Sequence, residues 1–482
     1  TTNTTGTDNV AVGYKSLEDN TTGSSNTALG YSALEANTTA DDNVAVGYKA
    51  LEINTTGASN TALGKQALQA NTTASNNTAV GTSALYANTT GTGNTAVGQG
   101  AGTAITTGTN NTIVGKLAGD AITTGDANVA IGEDALSSTT TADSNVAIGQ
   151  GAMEANTTGA NNVAVGSAAL DANTTASNNT AVGYVALGAN TTGVVNTAVG
   201  STALDANTSG GYNTAMGYAS LSANTTANNN TALGYSSLAA NTTGAGNVAV
   251  GAQALLASTT GASNTAVGYN SGAANTTGTQ NVAVGALALD ANTTASNNVA
   301  VGYGALTRED VGSANVAVGQ GTLANQNTAS AASIYNTAVG HLAGTEVTTG
   351  VQNTLIGGLA GDALTVGEKN IALGYVALSS DTKGNKSTAL GYAALNAQNF
   401  TSATDTFNTA IGFEAGGAVT TGTNNTLIGG LAGDAITTAS NNTAVGVSAL
   451  TTNTSGTDNT AVGGHAGAGN TTGSKNVAVG QS

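Results

Sequence analysis

The chain has no cysteine, no proline and no tryptophan among its 482 residues. Without cysteine there is no disulfide framework and no thiolate chemistry or thiolate metal site. Aromatic residues make up 3% and charged residues 7%. A globular core normally leans on large apolar side chains. Here the apolar content is mostly Ala, Val and Leu, which suits a thin core built in layers. Lys and Arg number only nine and are scattered, and the net charge is −17. That balance argues against nucleic acid or an anionic membrane surface as partner. No apolar run approaches the roughly 18 residues of a membrane span. His341 and His465 stand apart, and the Asp41–Asp42 pair lacks a calcium-roll pattern. Acid–base catalysis needs a pocket of perturbed groups, and no such constellation stands out. The sequence therefore predicts no enzyme, no metal and no cofactor.

What is present is repetition. From Asn9 to Asn476 the chain is built of 28 units reading N-T/V-A-V/L-G-Y-x-A-L-x-A-N-T-T-G-x-x. Counting each first Asn as offset zero, 25 of the 27 spacings are 17 residues. The other two are 21, from Asn315 to Asn336 and from Ser387 to Asn408. A fixed period sustained over a chain marks a repeat architecture. Seventeen residues are too few for a strand plus a helix, but they suffice for one coil of a β-solenoid, drawn with two short strands and two corners. Coils stacked at about 4.8 Å, the strand spacing, would make a rod on the order of 130 Å long. The expected fold is all-β, a parallel β-solenoid of about 28 coils of 17 residues, forming a single array over 1–482. The chain opens mid-unit at TTNTTG and closes at GQS, which points to a segment of a longer protein.

The Gly at offset four, as in Gly13, Gly30 and Gly47, never varies. No phosphate-loop context accompanies it, so a corner with positive φ or a close backbone approach is expected. The Asn residues at offsets zero (Asn26, Asn43, Asn60) and eleven suggest amide ladders between coils. NTT matches a glycosylation sequon, but turn chemistry explains it more simply. Carboxylates recurring at offset nine, such as Glu18, Glu35 and Glu52, would repel at one strand spacing, so offset nine is expected to face water. Tyr occupies offset five in ten units. Such rings suit either a corner cap or a carbohydrate-stacking strip.

Offsets one to three form a strand with Ala on one side and Thr, Val or Leu on the other. Both faces are apolar or small, and a strand apolar on both faces is usually buried on both. The simplest cover is the same face of identical chains, which predicts a homo-oligomer around a long axis.

A coordinated substitution identifies the interior. Leu at offset eight, as in Leu34, becomes Gly102 and Gly119, while Asn at offset eleven becomes Ile105 and Ile122. Ala at offset two becomes Ile113 in the second of these units. The package returns around Leu355 and again around Leu427. Exchanging bulk in this way is what a close-packed interior requires, so offsets two, eight and eleven are expected to line one layered core. The four-residue insertions fall within 324–335 and 396–407, and each directly precedes a Gly-swapped pair, which suggests a duplicated block. Insertions in solenoids map to surface loops, which makes Tyr335, Phe400 and Phe407 candidate binding residues. The charged trio Arg308–Asp310 reads as a solvated corner.

The units NTALGYSALEANTTADD (26–42) and NTAVGYVALGANTTGVV (179–195) resemble the head repeats of trimeric autotransporter adhesins of the YadA type. They are also similar to the NTA-x-G-Y-x-AL-x-x-NTTG repeats of phage-like tail fibres. The adhesin heads mostly use shorter units. The resemblance implies a left-handed β-roll, a homotrimer, and an extracellular fibre on a cell surface or virion that attaches to cells or glycans. The alternative is an ice-binding or other surface-binding solenoid, suggested by the paired Thr rows. Against it, neighbouring Thr side chains point to opposite faces.

Overall fold

The computed structural model describes residues 2–328 and 332–481. Its coils fall into two units, Thr1–Ser236 and Ser237–Ser482. In the first, fourteen three-residue strands run from β1 (Val10–Val12) to β14 (Thr231–Leu233). In the second, fourteen more lie between β15 (Val248–Val250) and β30 (Val477–Val479), along with two short strands described below. No described residue is helical. Within each unit neighbouring strands pair in parallel with no slip, Ala on Ala: Ala28 with Ala45, and Ala283 with Ala300. Each unit is a parallel β-solenoid with one coil for each repeat of the sequence.

The coil carries one strand, not the two expected. The opposite side is a run of turns, because offsets six and eight are left-handed; Ser32 and Leu34 both have φ of 53°. Such a backbone cannot form an extended strand, yet it still bonds from coil to coil. Ser32 N–H donates to Tyr14 O at 2.9 Å, and Leu34 N–H to Ala50 O at 2.9 Å. Leucine at positive φ is costly, and the stacking on both sides holds it there.

The offset-four Gly meets both of its expected roles. Gly13, Gly30 and Gly47 have φ of 135°, 143° and 136°. A Cβ at any of them would collide with the carbonyl of the equivalent Gly one coil on. A side chain here would hold neighbouring coils apart.

The interior is a column of small layers. Ala at offsets two and seven, Leu at eight and Asn at zero and eleven are fully buried in a typical coil, as with Ala28, Ala33, Leu34, Asn26 and Asn37. The exchanged residues pack as the substitution pattern requires. A Cβ on Gly119 would come within 2.9 Å of Ile113 Cδ1 and 3.0 Å of Ile122 Cδ1. On Gly361 it would lie 2.8 Å from Leu355 Cδ2, and on Gly433 2.7 Å from Leu427 Cδ2. Gly102, Gly119, Gly361 and Gly433 are left-handed like the leucines they replace, so the Gly also removes backbone strain.

The two Asn rows are hydrogen-bonded ladders. Asn43 N–H donates to Asn26 Oδ1 at 3.0 Å, and Asn43 Nδ2 to Gly57 O at 3.0 Å. In the other row, Asn37 Nδ2 donates to Asn20 Oδ1 at 2.8 Å and to Ala40 O at 3.1 Å. These layers satisfy most of their buried amides through their neighbours; Asn88 Oδ1 and Asn292 Oδ1, each followed one coil on by Ile105 or Glu309 in place of Asn, are exceptions.

The charged trio corrects the expectation of a solvated corner. Glu309 occupies offset eleven and is fully buried. Its carboxylate accepts from Gly312 N–H at 2.7 Å, Gln326 Nε2 at 2.8 Å and Thr328 Oγ1 at 3.0 Å. At the matching place before the second insertion, Asp381 does the same, taking Gln398 Nε2 at 2.6 Å and Gly384 N–H at 3.0 Å. A buried acid at the ladder position therefore ties each insertion to the coil before it. The second insertion also adds β25 (Thr404–Asp405), which pairs with β23 (Gly384–Asn385). Ala329 to Ala331 of the first insertion lie outside the described residues.

Candidate functional site

The strand places its second residue inward and its first and third outward. Ala at the centre is buried along nearly the whole of both units. The outer pair is not covered. Leu29, Leu63 and Val97 are exposed in the first unit, and Val267, Ile371 and Leu373 in the second. Each unit therefore presents one largely apolar outer face, a column of Thr, Val, Leu and Ile. Fourteen strands about 10 Å long at about 4.8 Å spacing give roughly 670 Å² per unit. Monomeric proteins rarely expose apolar patches beyond a few hundred Å².

Beside this face, past the Gly corner, runs the offset-five row. Its Tyr rings stack on one another where they fall in adjacent coils. Tyr14, Tyr31 and Tyr48 stack at centroid distances of 5.2 and 5.4 Å, and Tyr218 on Tyr235 at 5.6 Å. Tyr375, Tyr392 and Phe413 form another stack, at 5.9 and 5.2 Å. The rings are about half exposed, so the row is neither a buried cap nor a free-standing strip. Most ring faces within a stack are occupied by the next ring, and edges and hydroxyls face solvent.

The offset-nine carboxylates do not simply face water. Glu35 and Glu52 are about one-fifth exposed, with Lys15 Nζ 2.8 Å from Glu35 and Lys49 Nζ 2.8 Å from Glu52. Hydrogen bonding to Lys15 holds the Glu35 carboxyl below its ordinary range, and pairing with Glu35 and Glu18 raises the Lys15 ammonium. Asp120, Asp171, Asp205, Asp290 and Asp362 are half-buried at the same offset. Burial pushes each of their carboxyls upward. Among the described residues, no group of three or more His, Asp or Glu side chains is arranged to hold a metal. Among them, too, no helix is long and apolar enough to cross a membrane.

The sequence-predicted residues divide by role. Gly13, Gly30 and Gly47 shape the corner; Asn26, Asn43 and Asn60 form a ladder; Leu34, Ile113, Leu355 and Leu427 fill the core. Of the three insertion aromatics, Tyr335 and Phe407 stay exposed. Phe400 turns inward and is buried, with its N–H on Asp381 Oδ1 at 3.2 Å, so it anchors its loop and does not present it. Lys386 Nζ lies over the Phe407 ring, 5.0 Å from its centroid. Among the Thr pairs, the hydroxyls of Thr38, Thr55 and Thr72 donate to carbonyls one coil on. One of the two Thr rows is therefore committed to the ladder. Glu309 and Asp381 are functional to the fold and were not expected; the signal for them was a shared offset of eleven, each one coil ahead of an insertion. No family model matches the chain, and no curated protein matches it in sequence.

Proposed function

We propose that the chain forms a homotrimeric extracellular fibre, on a cell surface or a virion, that attaches to cells or glycans through its repeated surface. The supporting observation is the apolar outer face of the strands, which runs along each unit beside an exposed aromatic row. Three copies joined around a common axis would bury that face and leave the Tyr row and the opposite turns outward. The resemblance to adhesin heads and tail-fibre repeats supports the same stoichiometry. Attachment would then be multivalent, with many weak and similar contacts along a stiff support.

The test is the mass in solution. Light scattering and sedimentation of the 482-residue chain should give three times the 45.9 kDa chain mass. Charging the outer face with Leu63→Glu, Val97→Glu and Ile371→Glu should dissociate the assembly without unfolding the coils. A wild-type chain that remains a dispersed single polypeptide would overturn the trimer. Attachment is read separately, by retention of the fibre on cells and on a glycan panel.

A further inference from the structure

Two neighbouring coils of the second unit depart from the repeat together. Offset six carries Gly304 and then Gly321, the only place in the sequence where Gly fills this offset in consecutive units. Leu287 and Leu342 hold the same offset one coil before and one coil after. With two side chains missing between two leucines, the surface drops into an open notch of about 260 Å³. A Cβ on Gly321 would lie 2.7 Å from Leu342 Cδ2, so Leu342 leans over Gly321 and forms one wall of the notch. Tyr303 and Arg308 line it, with Gln320 and Asn325 on the far side.

Arg308 is the single arginine of the chain. Among the described residues no carboxylate lies within ion-pair distance of it. Its neighbours are fixed. Thr307 Oγ1 donates to Leu287 O at 3.0 Å, and Glu309 is locked inside by the bonds described above. The guanidinium is thus presented from a backbone that is already ordered, which lowers the entropy lost when it is engaged. In a chain of net charge −17 it is an exception with a clear chemical use. A guanidinium takes a carboxylate through two parallel N–H donors.

We propose that this notch binds an acidic monosaccharide, a sugar ring bearing one carboxylate. The carboxylate would pair with Arg308 and an apolar ring face would rest on Tyr303 and the two leucines. The Gln320 amide and the Asn325 side-chain carbonyl oxygen supply partners for ring hydroxyls, while Asn325 Nδ2 already donates to Glu346 Oε2 at 3.0 Å. The notch is open and shallow with amides on one side, which suits a wet polyol more than an acyl chain. The proposal adds a ligand class to the attachment reading for its biological use, but the binding itself stands on the notch alone.

The experiment is calorimetry and saturation-transfer NMR on the 482-residue chain. The probes are methyl β-glucuronoside, methyl β-glucoside, benzoate and a uronate oligosaccharide. The expected result is saturable glucuronoside binding in the millimolar range, with glucoside at least about tenfold weaker. Arg308→Gln should weaken glucuronoside binding about tenfold. Gly321→Leu should abolish it while the coils stay folded, since Leu342 and Leu359 already occupy offset six in consecutive units. Thermal unfolding of both variants checks that the fold survives. Oligosaccharide binding at least as tight as the monosaccharide would place the site on a polymer, and weaker binding would restrict it to a free or terminal sugar. The proposal is overturned if glucuronoside shows no saturation, if glucoside binds equally, if benzoate binds more tightly, or if neither variant changes affinity. Failure here leaves the solution mass untouched, so it is distinguishable from failure of the trimer.

Discussion

The coil around Asn71 and the coils around Ile105 and Ile122 meet the same requirement in different ways. In the first, Ala74 O accepts two amides, from Asn60 at 2.9 Å and from Asn71 at 3.0 Å. In the second, Gly125 O accepts one, from Asn111 at 2.9 Å, because Ile122 stands where the other Asn would be. The carbonyl is satisfied either way. The offset-eleven Asn is therefore a second donor to a group already held by the offset-zero Asn. The offset-zero Asn has no such understudy: its Oδ1 also receives the N–H of the next anchor, as Asn128 N–H donates to Asn111 Oδ1 at 2.9 Å. This is why offset eleven drifts to Ile, Thr, Ser, Glu, Gln, Val, Leu and Asp, while offset zero lapses once. At that lapse, Ser387, the shorter side chain of Ser takes the anchor's place, and Thr406 Oγ1 of the insertion accepts the Asn408 N–H at 3.4 Å.

The largest effect is expected at what both kinds of coil share. Gly81→Ala places a Cβ at φ 135° against the carbonyl of Gly98. A loss of more than about 4 kcal/mol is expected, or failure to fold, from backbone strain plus separation of the stack. Denaturant unfolding measures it, and a cost under about 1 kcal/mol would remove the close approach as the reason for the Gly. Next comes one substitution at the two Asn offsets. Asn111→Thr orphans two buried backbone groups and should cost about 3 kcal/mol. Asn71→Thr should cost about 1 kcal/mol, because Thr139 already serves at that offset, accepting Asn156 Nδ2 at 3.0 Å. Equal costs would erase the distinction between the ladders.

A smaller effect follows from moving the package. Leu68→Gly leaves a cavity and Asn71→Ile overpacks the layer. Made together they reproduce the Gly102–Ile105 arrangement, so a double-mutant cycle should show about 1–2 kcal/mol of favourable coupling. Additive costs would mean that Gly102 and Ile105 are independent. The smallest effect concerns offset nine. Burial raises the Asp205 carboxyl, so the folded chain holds that proton more tightly than the unfolded one. Its charge therefore weakens the fold above the raised value, and the penalty fades as pH falls through it. Asp205→Asn should gain under about 1 kcal/mol at neutral pH, and nothing once pH is below the unfolded carboxyl value of about 3.9. Glu35 has the opposite sign. Lys15 lowers its carboxyl, so its contribution is present above the unfolded value and lost as pH falls through the lowered one.

The period, the Gly corner, the Asn ladders and the layered core could all be read from the residues. Each recurs from coil to coil, and the exchange among Leu34-type, Asn37-type and Ile113-type positions betrayed their contact. The absence of a second strand could not be read. Adjacent Ala and Leu at offsets seven and eight look equally apolar in any conformation, and the sequence does not display the left-handed φ of Leu34. Glu309 was misread because its flanking charges suggested solvent, whereas its offset counted for more. The notch was invisible as well: Gly304 and Gly321 lie one repeat apart in the chain and meet only when the coils stack.

The breaks in regularity have one more consequence. A chain of near-identical segments can pair one segment too early or too late with little change in hydrogen bonding, since every mismatch is a whole period. Leu355 fits over Gly344 and Leu427 over Gly416, each Gly one coil back, and Glu309 meets a Gln and a Thr at its own insertion. A shift by one coil would set Leu355 against Leu323 or Leu427 against Leu395 and strand the acid without those donors. These few irregular residues act as alignment marks, and they make a single threading of an otherwise ambiguous tape the one that closes.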